Sequence, residues 1–344
     1  MGLSVLSRRR LGRTLLARQH LLERADIGIP DLLDEVAGLQ TQYAPSGYVG
    51  LWTRLDAFRR DDLTRALDAR TVVQATLMRG TIHLVSARRY WAFAVGVRRA
   101  RREWALRVQP ERGSGPDIER HADALRRALA DGPRSVAELE GLAGGFIGNV
   151  GLWVDLVRVP PSGTWERRRA DILALAEQWI GPPDATEDEG MEHLVRSYLR
   201  GFGPAPRRDV SSWAGVPVAW LNEAAERIEL RRFADESGRE LIDLPGTPIA
   251  DEDAEAPVRF LPHWDANLLV HARRTGILPE EYRRRVFSTK NPFSVGVYLV
   301  DGVVAGAWTI KDGHVRLEPY TDLRGPAKRE VEAEARRLDA FHGG

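Results

Sequence analysis

The chain of 344 residues has no cysteine. That excludes disulfides, thiolate metal sites and a cysteine nucleophile, and makes the cytoplasm (with the nucleoid) the default location. It has no apolar run of about 18 residues, so no membrane partner is expected. Lysine is nearly absent, occurring only at Lys290, Lys311 and Lys328. The eight histidines are scattered, with no pair at metal-ligand spacing on a clear helix face, so no metal is expected. A Walker-type phosphate loop, a GxSxG elbow and an HExxH pair are all missing, and no cofactor is implied. The opening "MGLSVLSRRRLGRTLLARQHLL" carries its arginines inside a helical pattern. It lacks the apolar core and cleavage site of a signal peptide.

A hydrophobic content of 43% with 29% charged residues fits a globular chain, and the length implies two to four domains. Charge is distributed unevenly. Residues 1–110 hold 19 Arg against 10 acids, a balance of +9; the rest hold 31 basic and 39 acidic residues, −8, which sums to the net +1. A basic, arginine-dominated first third points to an anionic partner. A GC-rich genome writing Arg for Lys on solvated faces explains the Arg/Lys ratio, but not the asymmetry.

One order of elements recurs. Helical spacing over Arg8–Ala25, Pro30 opening a second helix, a break at "TQYAPSG", a helix "YVGLWTRLDAF" and a hairpin "VVQATLMRGTIHLV" with Arg79-Gly80 at its tip form the first copy. The second has a helix over Ile118–Leu129, "SVAELEGL", "AGGFIG", "NVGLWVDLV" and a hairpin turning at "PPSG". "VGLW" stands at Val49–Trp52 and again at Val150–Trp153. The third runs "HLVRSYLRGFG", "RRDVSSWAG", "VPVAWLNEAAERI", then the hairpin "ELRRFADESGRELIDL". The expected class is mainly α with β-hairpins (α+β). Three tandem winged helix-turn-helix units, at 1–110, 111–184 and 185–250, would form a curved array, followed by a C-terminal β-rich module at 251–344. Linkers are expected at 107–117 and 180–190. No coiled-coil dimerisation helix is evident, so a monomer is expected.

Winged helices lay a helix in the major groove of duplex DNA, which brings the turn before the third helix close to the duplex. In the first, most basic unit that turn carries Gln40 and Gln42. Two alternatives stand: solvated turn residues, or contacts to adenine or phosphate.

The pieces "GLQTQYAP", "GLWTRL", "LMRGTIHLVSARRYW", "FGPAPRRDVSSWAGV", "VRFLPHWDANLLV" and "VVAGAWTIKDGHVRLEPY" resemble the AlkZ family of DNA glycosylases, which includes the YcaQ branch. The resemblance covers nearly the whole chain. It implies catalytic roles for Gln40 and Gln42, from a Gln-x-Gln motif whose middle residue is often hydrophobic; here that residue is Thr41. In the YcaQ branch the second position is Asp. The implied activity is monofunctional hydrolysis of the N-glycosidic bond of bulky alkylated purines, N7 or N3 adducts, in duplex DNA. Unhooking of interstrand crosslinks lies within reach of the same chemistry, in repair or genotoxin self-resistance. Glutamine does not titrate near neutrality, so it cannot be a general base. It can orient a water and favour positive charge on the sugar, which suffices when the leaving group is already cationic. No Lys lies near the motif, so lyase chemistry is not expected. DNA contacts are expected from Arg54, Arg79, His83, Arg88, Arg98, Arg99, Arg101 and Arg102. A solvated helix face is the alternative for the arginines, and a core position bonded to backbone for His83. Trp52, Trp153, Trp213 and Trp220 are expected to pack the repeats. Asp265 matches a family position without a derivable role. The other class of function is a DNA-binding protein without catalysis, a regulator or a sequestering resistance factor.

Overall fold

The structure is a computed structural model describing residues 3–108, 116–142, 150–269, 276–287 and 294–343. The fold is mixed α/β, with several helices and three sheets among these residues. Strand β1 (Val5–Leu6) leads into α1 (Arg8–Arg18), capped by Ser7, whose Oγ accepts from the Arg10 N–H at 3.0 Å. Then come α2 (Ile29–Glu35), β2 (Leu39–Gln40), α3 (Ala44–Trp52), α4 (Arg60–Asp68), the hairpin β3 (Val72–Thr76) and β4 (Ile82–Ser86), and the long α5 (Ala87–Val108).

A second run has α6 (Pro116–Leu129), β5 (Arg134–Ser135), α7 (Val136–Leu142), β6 (Leu156–Arg158) and β7 (Ile172–Leu175). The third has α8 (Glu187–Phe202), α9 (Arg207–Ala214), α10 (Val218–Glu226) and the hairpin β8 (Arg231–Asp235) and β9 (Glu240–Asp243). A reciprocal capping box between Thr186 and Glu189 starts α8. The last part is β10 (Arg259–Leu261), β11 (Gly296–Val300), β12 (Val303–Lys311), β13 (His314–Pro319) and α11 (Gly325–Gly343).

The first and third hairpins are where the sequence places them, and so is the β-rich end: β10 to β13 make an antiparallel meander in sequential order. The second hairpin is wider than expected, for its return strand is Ile172–Leu175, beyond the turn at "PPSG". Other details differ. Val49–Trp52 ends α3, with all of α4 still to come before the hairpin; Val150–Leu152 is a single 3-10 turn just ahead of β6. The two "VGLW" strings therefore do not occupy the same place. "AGGFIG" and most of the 107–117 linker lie outside the described residues.

The first two hairpins are also not separate. Strand β3 pairs antiparallel with β6, Gln74 opposite Arg158, so both belong to one six-stranded sheet ordered β2-β4-β3-β6-β7-β5. The N-terminal strand pairs far along the chain: β1 runs parallel beside β8. Helices α5 and α8 cross where Gly96 meets Gly190. A Cβ on Gly96 would lie 2.7 Å from the Gly190 carbonyl oxygen, a contact only glycine permits.

The C-terminal module packs onto the first unit. Phe260, Tyr298, Trp308 and Leu338 share one buried cluster with Leu32, Tyr48, Trp52 and Leu63. The tryptophans do pack: Trp52, Trp153 and Trp213 are buried, and Trp220 lies under the Arg99 guanidinium, 4.1 Å from its ring centre.

Candidate active site

Helix α3 is buried along its whole length, and its two glycines let neighbours come close. At Gly47 a Cβ would lie 2.7 Å from the Thr41 methyl. This close approach presses the segment Leu39–Gln42 between α3 and β4. Thr41 is 1% exposed, and its hydroxyl has no partner among the described residues. It packs through its methyl, and so fills the place of a hydrophobic middle residue between the glutamines.

The flanking glutamines, Gln40 at the end of β2 and Gln42 in the bend after it, both reach the first hairpin. Gln40 lies in β2 opposite His83 of β4, rather than in a turn, and is 7% exposed. Its Oε1 accepts from Arg79 Nη2 at 2.7 Å. Gln42 is exposed, and its Oε1 accepts from the Ile82 backbone N–H at 3.1 Å. Both partners can only donate, so each amide is oriented with its oxygen toward the hairpin, one lone pair still open and its NH₂ pointing away from that contact.

Arg79 organises the cluster. It occupies the hairpin tip in left-handed backbone (φ 53°), beside Gly80 at φ 70°. Its Nη1 donates to the Trp213 carbonyl of α9 at 2.6 Å, tying the first unit to the third. Burial lowers its pKa to about 10, so it stays cationic at neutral pH.

His83 is 2% exposed. Its Nδ1 lies 3.0 Å from the Thr81 carbonyl, which can only accept, so Nδ1 carries the proton. Burial, and next the Arg79 charge, lower its pKa to about 3. It is the core histidine bonded to backbone, neutral and far too weakly basic to act as a base near pH 7.

The remaining arginines do not form one DNA-facing stripe. Arg54 is withdrawn from solvent altogether: both it and Asp265 have side chains 1% exposed, paired at 2.9 Å. The pair is braced by the Gly50 carbonyl, Gln19 and the Asn267 amide. Expecting Arg54 on DNA is therefore corrected, and Asp265 gains a role as its counter-ion. Arg101 is half-buried at the mouth of a cavity, donating to the Thr76 carbonyl at 2.6 Å. Arg98 pairs with Asp155 at 2.9 Å, and Arg102 donates to the Leu152 carbonyl at 3.1 Å. Arg88 and Arg99 are exposed but held by carboxylates, Arg88 by Asp31 and Asp34 and Arg99 by Glu103. What sequence reasoning missed is the web of acceptors on other segments. The visible signal was an arginine following the apolar "VGLW", which demands a buried counter-charge.

Among the described residues no group of three or more His, Cys, Asp or Glu could hold a metal ion, and no helix is long and apolar enough to cross a membrane.

A family model described as DNA glycosylase AlkZ-like matches residues 33–341. An interstrand DNA cross-link repair glycosylase of Streptomyces sahachiroi is 24% identical over 361 aligned positions, covering 95% of this chain and 94% of that protein. The solved structure of Streptomyces sahachiroi DNA glycosylase AlkZ shares the fold, with a TM-score of 0.82 at 19% identity over 98% of this chain and 97% of that one.

Proposed function

The chain belongs to the AlkZ-like DNA glycosylase family, and from that membership we propose that it hydrolyses the N-glycosidic bond of bulky alkylated purines in duplex DNA. Gln40 and Gln42 serve as its catalytic pair. The observation that carries the assignment is the immobilisation of both amides by donors, Arg79 Nη2 on Gln40 and the Ile82 N–H on Gln42. A side chain already oriented need not be ordered during the reaction, which is the condition for electrostatic help from a neutral dipole.

The chemistry asked of these amides is modest. Alkylation at N7 or N3 makes the purine cationic, so it departs as a neutral base while positive charge develops on the sugar. Gln40, buried and rigid, offers the open lone pair of its Oε1 to that charge. Gln42, exposed, holds the water that adds to C1′, and the proton of that water passes to solvent. No residue of the cluster needs to titrate. An unmodified purine is too poor a leaving group for such help, which gives selectivity for damage. The chain's relative named for cross-link repair makes crosslinked purines a natural second substrate.

The helical units ending in hairpins are read as three winged helices, at 1–110, 111–184 and 185–250, with the 251–344 module bracing the first. The segment 5–18 lends its strand to the third. The test is incubation with a duplex containing 7-methylguanine: free base and an alkali-labile abasic site should appear. Retention of the duplex without base release would instead make the protein a binder.

A further inference from the structure

A solvent-open cavity of about 310 Å3 between α5 and the hairpin β6–β7 has no part in this chemistry. Tyr90, Arg98, Arg101, Asp155 and Arg158 line it, together with Gly80 of the hairpin tip. Asp155 neutralises Arg98. Arg101 and Arg158 have no carboxylate partner among the described residues. Each donates instead to Thr76, Arg101 to its carbonyl at 2.6 Å and Arg158 to its hydroxyl at 3.0 Å. The Nε of each is buried without a partner. Burial lowers both to about 10, and Arg101 lowers Arg158 further, yet both remain cations at neutral pH. The Tyr90 hydroxyl makes no hydrogen bond among the described residues, and burial keeps the phenol protonated, hence a donor. Glu140, the other acid of the lining, is not among the charges that act on Arg158.

Two half-buried guanidiniums side by side make no ion pair, and the one carboxylate that acts on Arg101, Asp155, is already bonded to Arg98; a cavity beside them is where an anion relieves the cost of burying them. Three donors, Tyr90 and Arg101 from α5 and Arg158 from β6, call for a group with three or more acceptor oxygens, and guanidinium forks match phosphate in particular. We propose that this cavity is a phosphate site, in which Arg101, Arg158 and Tyr90 seat a phosphodiester of the damaged strand. Gly80 connects it to the glutamines, because its neighbour Arg79 holds Gln40. Seating a phosphate there fixes the strand relative to the two amides. The choice of a DNA phosphate rests on the glycosylase reading; the anion site itself does not.

The test is calorimetric titration of the full chain with inorganic phosphate in low-chloride buffer. One phosphate should bind per chain. Arg158→Gln should weaken it at least about tenfold, and Tyr90→Phe, which removes one oxygen from an otherwise intact fold, should weaken it several-fold. A second arm measures affinity for a duplex with an abasic-site analogue across salt concentrations. If the seated group is a DNA phosphodiester, Arg158→Gln flattens the slope of log K against log salt by about one. Phosphate binding with an unchanged slope overturns the DNA assignment and makes the ligand the free anion. A wild-type chain that takes up no phosphate overturns the site, as do variants that bind it as well as wild type. The titration involves no base release, so its failure and failure of the glycosylase reading are separate results.

Discussion

The two glutamines differ in environment, and that difference predicts different phenotypes for one substitution. Gln42→Ala removes an exposed side chain bonded only to the Ile82 N–H. Water can replace that bond, so the loss of stability should stay below about 1 kcal/mol. Gln40→Ala strips the acceptor from Arg79 Nη2 in a buried setting, and should cost roughly 1–3 kcal/mol. Both remove an oriented dipole from the transition state, which is worth about 3 kcal/mol, or roughly a hundredfold in rate. Single-turnover excision of 7-methylguanine with protein in excess, paired with urea melts, should therefore find both variants slow but only Gln40→Ala less stable. The defect should shrink for the most labile adducts. Gln42→Asp should keep activity, since a carboxylate favours a sugar cation more strongly. Excision by Gln42→Ala within about threefold of wild type would falsify the assignment and move the chemistry elsewhere.

Other expectations follow from the buried charges. With His83 at about 3 and no other titrating group in the cluster, single-turnover rates should be flat from about pH 5.5 to 9; a bell with a limb near 6.5 would implicate a base. Folding stability should fall on acidification, because His83 and His193 are held at about 3 and about 4 while their unfolded forms protonate near 6.5. Below that pH only the unfolded chain gains the protons, which costs about 1.4 kcal/mol per unit for each histidine down to its folded value. Urea midpoints equal at pH 7 and pH 5 would refute it. Asp265→Ala should strand the buried Arg54 guanidinium and cost roughly 3–5 kcal/mol, whereas Arg54→Met with Asp265→Leu should recover most of that. Lost DNA affinity at unchanged stability would return Arg54 to the DNA surface.

The first hairpin and the β-rich end were legible because β-branched runs broken by Arg-Gly or Asp-Gly state a local geometry, whereas the second hairpin's return strand, Ile172–Leu175, lay beyond the "PPSG" turn that signalled it. The glutamine pair was legible through its family resemblance and its place after an apolar helix. The fusion of two hairpins into one sheet was not, since the pairing of Ala75 with Val157 depends on chain brought together from 82 residues apart. Thr41 read as a polar departure, yet the glycine opposite its methyl makes it a core residue.

The charge asymmetry has a larger internal component than composition alone conveys. Arg9 and Arg13 pair with Asp301, Arg18 with Asp243, Arg24 with Glu334, Arg54 with Asp265 and Arg98 with Asp155. Every one of those acids lies beyond residue 110. Six arginines of the basic third thus have counter-ions in the acidic remainder; because Arg9 and Arg13 share Asp301, the five acids cancel at most five of its +9 and leave +4. Part of the imbalance is therefore complementarity between the first third and the rest of the chain, which welds the units together. A fragment of residues 1–110 would uncover these arginines, so its attraction to duplex would exceed what the intact surface exerts. Electrostatics in the whole protein must act through what remains unpaired, and the Arg101 and Arg158 guanidiniums are part of that remainder.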